Sequence, residues 1–229
     1  MSTNKPEKEE GTIHAVEEAF GKTEQFIEKN QKVILIVIGA LIVLVLGFFG
    51  FRKYYLQPRE KEAQSQMFMA EKYFEMDSIS KALNGDGNYL GFLEIMEQYS
   101  MTKSANLAKY YTGICYLKQG QFENAIKYLE KFNGRDKIVA PMAKGGIGDA
   151  YLELNQPDQA LKYYLEAAEK YKNEFTSPIF YQKIGQVYEI QKDYKKALEY
   201  YKLIKKEYPR SFEAQDIDKS IAFAEGMIK

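Results

Sequence analysis

Three times along its C-terminal part the sequence repeats one spacing: a Gly, a Tyr three residues on, and an Ala twelve residues after the Gly. The first copy has Gly113, Tyr116 and Ala125, with Gly120, Phe122, Leu129 and Phe132 among them. The second, displaced by 35 residues, has Gly148, Tyr151 and Ala160, with Asn155, Tyr164 and Ala167. The third, a further 37 on, has Gly185, Tyr188 and Ala197, with Tyr194, Tyr201, Ile204 and Pro209. Apolar residues recur at three and four positions inside each copy, the period of an amphipathic helix. A unit of this length is a pair of helices that cannot bury its apolar faces alone. Copies must therefore stack into a solenoid.

A glycine inside a helix costs about 1 kcal/mol against alanine. It is tolerable where a second helix must come close. The spacing predicts Ala125, Ala160 and Ala197 as the matching small residues on that second helix, with Tyr116, Tyr151 and Tyr188 filling the next turn. Gly120-Gln121, Asn155-Gln156-Pro157 and Lys192-Asp193 read as tight turns between the helices. The two extra residues of the third displacement fall in 173–177, a polar stretch expected to be a loop where an insertion is harmless. Residues 59–83 and 89–99 read as a degenerate leading pair, in which Ala70 and Tyr73 echo the Gly-x-x-Tyr step. Residues 211–227 read as a closing helix with Ser211 as N-cap and Ile217, Ile221 and Ala224 facing inward.

These residues resemble the tetratricopeptide repeat, whose pattern runs Trp, Leu-Gly, Tyr, Ala, aromatic and a closing Pro. The resemblance covers 106–209. It departs at the Trp position, which holds Lys109, Lys144 and Tyr181, and at the Leu position, which holds Thr112, Ile147 and Ile184. Only the third copy ends in Pro. The resemblance implies that the first helices line a concave peptide groove. Its positions here are Leu107, Tyr110, Ile114 and Leu117, then Met142, Gly145, Asp149 and Leu152, then Ile179, Gln182, Gln186 and Glu189. Some family members clamp a chaperone tail with Lys and Asn at two of these positions; Tyr110 and Ile114 stand there instead. An aromatic, Met-bearing groove without strong charge would suit apolar, sequence-tolerant binding. The alternative is that the apolar members simply pack against neighbouring helices.

Residues 33–51 are a second constraint: fifteen are Val, Ile, Leu or Phe, the rest are Gly39, Ala40, Gly47 and Gly50, and none can hydrogen-bond through its side chain. As a helix the run is roughly 28 Å long, close to the thickness of a bilayer's hydrocarbon core. Lys29 and Lys32 precede it; Arg52, Lys53, Tyr54 and Tyr55 follow, the flanks of a membrane span. A cleaved signal peptide fits badly, because thirty-two residues come first and no small-x-small site comes after. The three glycines form no Gly-x-x-x-Gly pair, so dimerisation through the span is not expected.

The expected fold is therefore all-α: a tetratricopeptide helical-hairpin solenoid tethered by one N-terminal transmembrane helix. Its expected organisation is an arm over 1–32, the span over 33–51, a linker and degenerate leading pair over 52–105, three repeats (106–140, 141–177 and 178–210) and a capping helix over 211–229. In the arm, residues 1–10 read as disordered. Ile13, Val16, Phe20 and Ile27 recur at helical spacing, either as a short partner-binding helix or as a backward continuation of the span. One span followed by such repeats also resembles the bacterial membrane-anchored family typified by YfgM, ancillary to the Sec translocon. That layout implies an inner-membrane protein with a cytoplasmic N-terminus and a repeat domain working beside extracytoplasmic chaperones. Positive charge leans the other way by one residue, with Lys22, Lys29 and Lys32 before the span against Arg52, Lys53, Arg59 and Lys61 after it.

Lys plus Arg and Asp plus Glu both number 32, so no strong field draws nucleic acid. His14 is the only histidine and Cys115 the only cysteine, which leaves no His-based nucleophile pair and no metal cluster to assemble. No cofactor or small-molecule substrate is expected. The run Asn84-Gly85-Asp86-Gly87-Asn88 has calcium-loop residues but lacks the Gly and Glu that an EF-hand needs further on; a plain turn is the alternative. Gly145-Gly146-Ile147-Gly148 has neither a preceding strand nor a following Lys-Ser/Thr, so it is not a phosphate loop. The partners implied are proteins or peptides, and the chain reads either as an adaptor or co-chaperone or as a scaffold for one fixed complex.

Overall fold

The computed structural model describes residues 6–228, with side chains from residue 28 onward. It divides into two compact units, Met1–Gln57 and Pro58–Lys229. In the first, helix α1 (Pro6–Phe51) leads into a π-helical turn, Arg52–Leu56. The apolar run lies in α1 with its side chains uncovered; Ile36 is 71 % and Val43 69 % exposed. This helix is long and apolar enough to cross a membrane. Phe51 and Tyr55 stack at 5.0 Å, and the Lys53 ammonium lies 5.6 Å over the Tyr54 ring. Backbone from Pro6 is already helical, and residues 1–5 lie outside the described part. The side chains of His14 and of the expected stripe Ile13, Val16, Phe20 and Ile27 also lie outside it.

The second unit is helical in every described element. The order is α2 (Gln57–Glu75), α3 (Ile79–Asn84), α4 (Phe92–Gln98), α5 (Lys103–Lys118), α6 (Phe122–Lys131), α7 (Val139–Glu153), α8 (Pro157–Leu165), α9 (Ser177–Ile190), α10 (Tyr194–Glu207) and α11 (Phe212–Ile228). A π-helical stretch, Glu166–Lys170, extends α8. From α4 onward each helix packs on the one before and the one after, as a solenoid requires. One turn recurs four times. Asp77, Gly120, Asn155 and Lys192 take positive φ, and the next amide donates to a tyrosine carbonyl: Ser78 to Tyr73, Gln121 to Tyr116, Gln156 to Tyr151 and Asp193 to Tyr188, at 2.8–2.9 Å. This six-to-one bond satisfies carbonyls that a helix end would leave orphaned. The leading pair thus uses the same turn as the three repeats, but its second helix is broken into α3 and α4 by the glycine loop. There Asp86 accepts from the amides of Asn88 and Tyr89, both 2.9 Å, and from the Tyr73 hydroxyl at 2.7 Å. That carboxylate closes a turn.

The glycine spacing has a different partner from the one the sequence suggested. A Cβ on Gly113 would overlap Leu129, one on Gly148 would stand 2.5 Å from Tyr164 Cε1, and one on Gly185 would overlap the Tyr201 ring. The residue sixteen on fills each gap, one helical turn beyond the alanine. Ala125, Ala160 and Ala197 are fully buried nonetheless. Beside each crossing the Gly-x-x-Tyr ring stacks on a second tyrosine: Tyr116 on Tyr128, Tyr151 on Tyr163 and Tyr188 on Tyr200, at 5.3, 5.4 and 5.8 Å. In α11, Ile217 and Ala224 are buried and Ile221 packs against the same core.

Residues 173–177 are not an indifferent loop. Asn173 donates to the Lys137 carbonyl at 3.0 Å and to Thr176 Oγ1 at 2.6 Å, and its Oδ1 accepts the amides of Phe175 and Thr176. Ser177 Oγ accepts the Asn173 amide and donates to the Ala168 carbonyl at 2.8 Å. The insertion thus ties one inter-repeat connection to the previous one. At the other end of the domain, Glu60 of α2 caps α5 by accepting the amides of Lys103 (2.6 Å) and Ser104 (3.1 Å). Thr102 is the N-cap proper, accepting the Ala105 amide at 3.0 Å.

Candidate functional site

An open groove of about 570 Å³ runs across the first helices of the three repeats. Its apolar wall is Leu117, Phe122 and Leu152; its polar members are Lys118, Asp149, Glu153, Tyr164, Lys183 and Gln186. Four of the residues expected to line a groove meet there: Leu117, Asp149, Leu152 and Gln186.

The others are placed elsewhere. Leu107 packs with the leading pair's core, while Tyr110 and Ile114 pack around Leu129, Ala143 and Ile147. Met142 packs against the core of the second and third copies. Ile179, Gln182 and Glu189 are half-buried outside this groove. Gly145 is buried, with the Phe180 ring where its Cβ would be, so the position serves the repeat-to-repeat seam. Gly146 likewise faces Leu129 and Ile114. The glycine-rich stretch of α7 thus receives side chains from α5, α6, α8 and α9.

The groove is more polar than the sequence suggested. Asp149 Oδ1 accepts the Tyr164 hydroxyl and pairs with Lys183 Nζ, both at 2.6 Å. The same ammonium lies 5.6 Å from the Tyr164 ring centre. These three residues come from α7, α8 and α9, so one carboxylate joins the second repeat to the third. Burial first, then the Asp149 charge, push the Tyr164 phenol far above its usual range. It stays a hydrogen-bond donor at any physiological pH. Lys118 makes a 2.8 Å ion pair with Asp77, tying the first repeat to the leading pair's turn. Sequence reasoning missed Lys183, Tyr164 and Glu153. The available signal was the 34-residue separation of Asp149 and Lys183. It is three short of the 37 residues that separate those two copies, so it sets opposite charges about one helical turn apart in register on successive first helices.

This constellation holds no nucleophile beside a base. Cys115 is fully buried, and burial pushes its thiol up to about 12, so it is a core side chain. Among the described residues, no three His, Cys, Asp or Glu gather as metal ligands would. The geometry offers instead an elongated surface with apolar walls and fixed polar groups, suited to a polypeptide segment.

A family model described as a tetratricopeptide repeat-like domain matches residues 24–207, a stretch that includes the apolar run. No curated protein matches the chain. Among solved structures, one of a Podosopora anserina kinesin light chain with nearly identical TPR-like repeats is 14 % identical with a TM-score of 0.57, covering 74 % of this chain and 87 % of that one. The MamA RS-1 ArsTM double mutant is 17 % identical with a TM-score of 0.50, covering 74 % of this chain and 83 % of that one. At these identities the likeness is one of fold.

Proposed function

The chain belongs to the tetratricopeptide repeat-like domain family, whose repeats are non-catalytic scaffolds for protein–protein interaction, and from that premise we propose a membrane-anchored adaptor. Residues 33–51 hold the chain in a bilayer, and the repeat groove receives segments of partner proteins, including newly translocated or unfolded chains. The observation that carries this reading is the pairing of an uncovered nineteen-residue apolar run with an open groove in one chain. A water-exposed helix would not keep fourteen large apolar side chains uncovered. The resemblance to the YfgM-like layout favours an anchor in the inner membrane, with the N-terminus in the cytoplasm and the repeats outside it. It also points to the Sec translocon and extracytoplasmic chaperones as partners.

Fractionation tests the anchor. The full chain should resist alkaline extraction and need detergent, whereas residues 59–229 should remain in aqueous solution as a helical protein. Recovery of the full chain in the alkaline supernatant would contradict the anchor. The side is read with a cysteine at Ser100 and a membrane-impermeant thiol reagent. Ser100 is exposed, and buried Cys115 does not compete. Labelling of intact cells is the expected result. Many substoichiometric partners on co-purification support the adaptor; a single stoichiometric one would make the domain a fixed scaffold.

A further inference from the structure

We infer that the segment received by the groove carries a lysine or arginine beside an apolar side chain; this rests on the groove being the protein-binding face. Both groove ammonium groups are already engaged, Lys118 with Asp77 and Lys183 with Asp149. Asp149 Oδ1 in turn is shared between Lys183 and Tyr164. Glu153, one turn further along α7, is exposed and makes no ion pair among the described residues. With their partners counted, three carboxylates (Asp77, Asp149, Glu153) stand against two ammonium groups (Lys118, Lys183). One negative charge is left over, beside the apolar wall made by Leu117 and Leu152.

An acidic ligand would meet that spare carboxylate, and would have to share Lys183 or Lys118 with the carboxylate each already neutralises. A cationic side chain instead pairs with Glu153 while its methylene stem lies along the apolar wall. Charge complementarity therefore selects the occupant, and a neutral or acidic segment is disfavoured.

The test uses the full chain in non-ionic detergent and two fluorescent peptides, one alternating leucine with lysine and the other alternating leucine with glutamate. Anisotropy should report tighter binding of the lysine peptide, weakened by salt. Glu153→Gln should weaken it roughly two- to fivefold, the range of an exposed ion pair, with an unchanged melting temperature. Gln186→Trp, which places a bulky ring in the groove from an exposed position, should abolish it. If both peptides bind equally and Gln186→Trp removes both, the groove reading stands and the basic preference is overturned. Lysine-peptide binding that ignores Glu153→Gln also overturns the preference. If neither peptide binds, or binding ignores Gln186→Trp, the groove reading itself fails.

Discussion

Tyr201→Ala should lower the stability of the repeat domain by about 3–5 kcal/mol, the cost of removing a large ring from a closed core. Tyr201 is completely buried, and its ring occupies the place where a side chain at Gly185 would be. The same geometry fixes the sign of a second change. In the native background Gly185→Ala should destabilise, because its methyl overlaps the Tyr201 ring and overpacking costs roughly 1–3 kcal/mol. In the Tyr201→Ala background the ring is gone, and Gly185→Ala should stabilise by up to about 1 kcal/mol through helix propensity. Urea unfolding of residues 59–229 gives all four corners of the cycle. An equal effect of Gly185→Ala in both backgrounds would mean that the ring is not what requires the glycine.

Ala160→Leu should cost roughly 1–3 kcal/mol or more, while Lys162→Ala, two residues on, should change little. Ala160 is fully buried on α8, whose neighbours Leu161 and Tyr164 belong to the same core; Lys162 points to solvent. Three added carbons at Ala160 have no space unless α8 moves, and α8 is held by the Tyr164–Asp149 hydrogen bond. Equal melting temperatures for the two variants would place the alanine outside the helix crossing.

The repeat was legible because Gly and Tyr recur at fixed offsets, and such offsets are visible without any partner. The partner itself was not. Ala125 and Leu129, Ala160 and Tyr164, and Ala197 and Tyr201 lie one turn apart on the same helix face, so periodicity cannot choose between them. Size decides it, since a large side chain reaches across where an alanine does not. The turn residues could be read at Gly120 and Asn155, which tolerate positive φ; Lys192 adopts it only because the same turn recurs there.

The groove was legible in part for a related reason. Leu117, Asp149, Leu152 and Gln186 stand at positions that the tetratricopeptide resemblance assigns to the groove, whereas Tyr110 and Ile114, assigned likewise, are drawn into the seam with α6 and α7 by Leu129 and Ile147. Asp149 looked like one polar residue on an apolar stripe, because its partners belong to other helices. The 173–177 insertion looked inert because its bonds reach backbone carbonyls of Lys137 and Ala168, which no side-chain pattern reveals.

Site-specific photocrosslinking tests the adaptor reading most directly. A benzophenone side chain at Gln186 faces the groove, and one at Lys162 lies on the exposed face of α8. In membranes of living cells, Gln186 should give adducts with other proteins and Lys162 should not. Adducts of equal yield at both positions, or at Lys162 alone, would contradict a groove that binds protein.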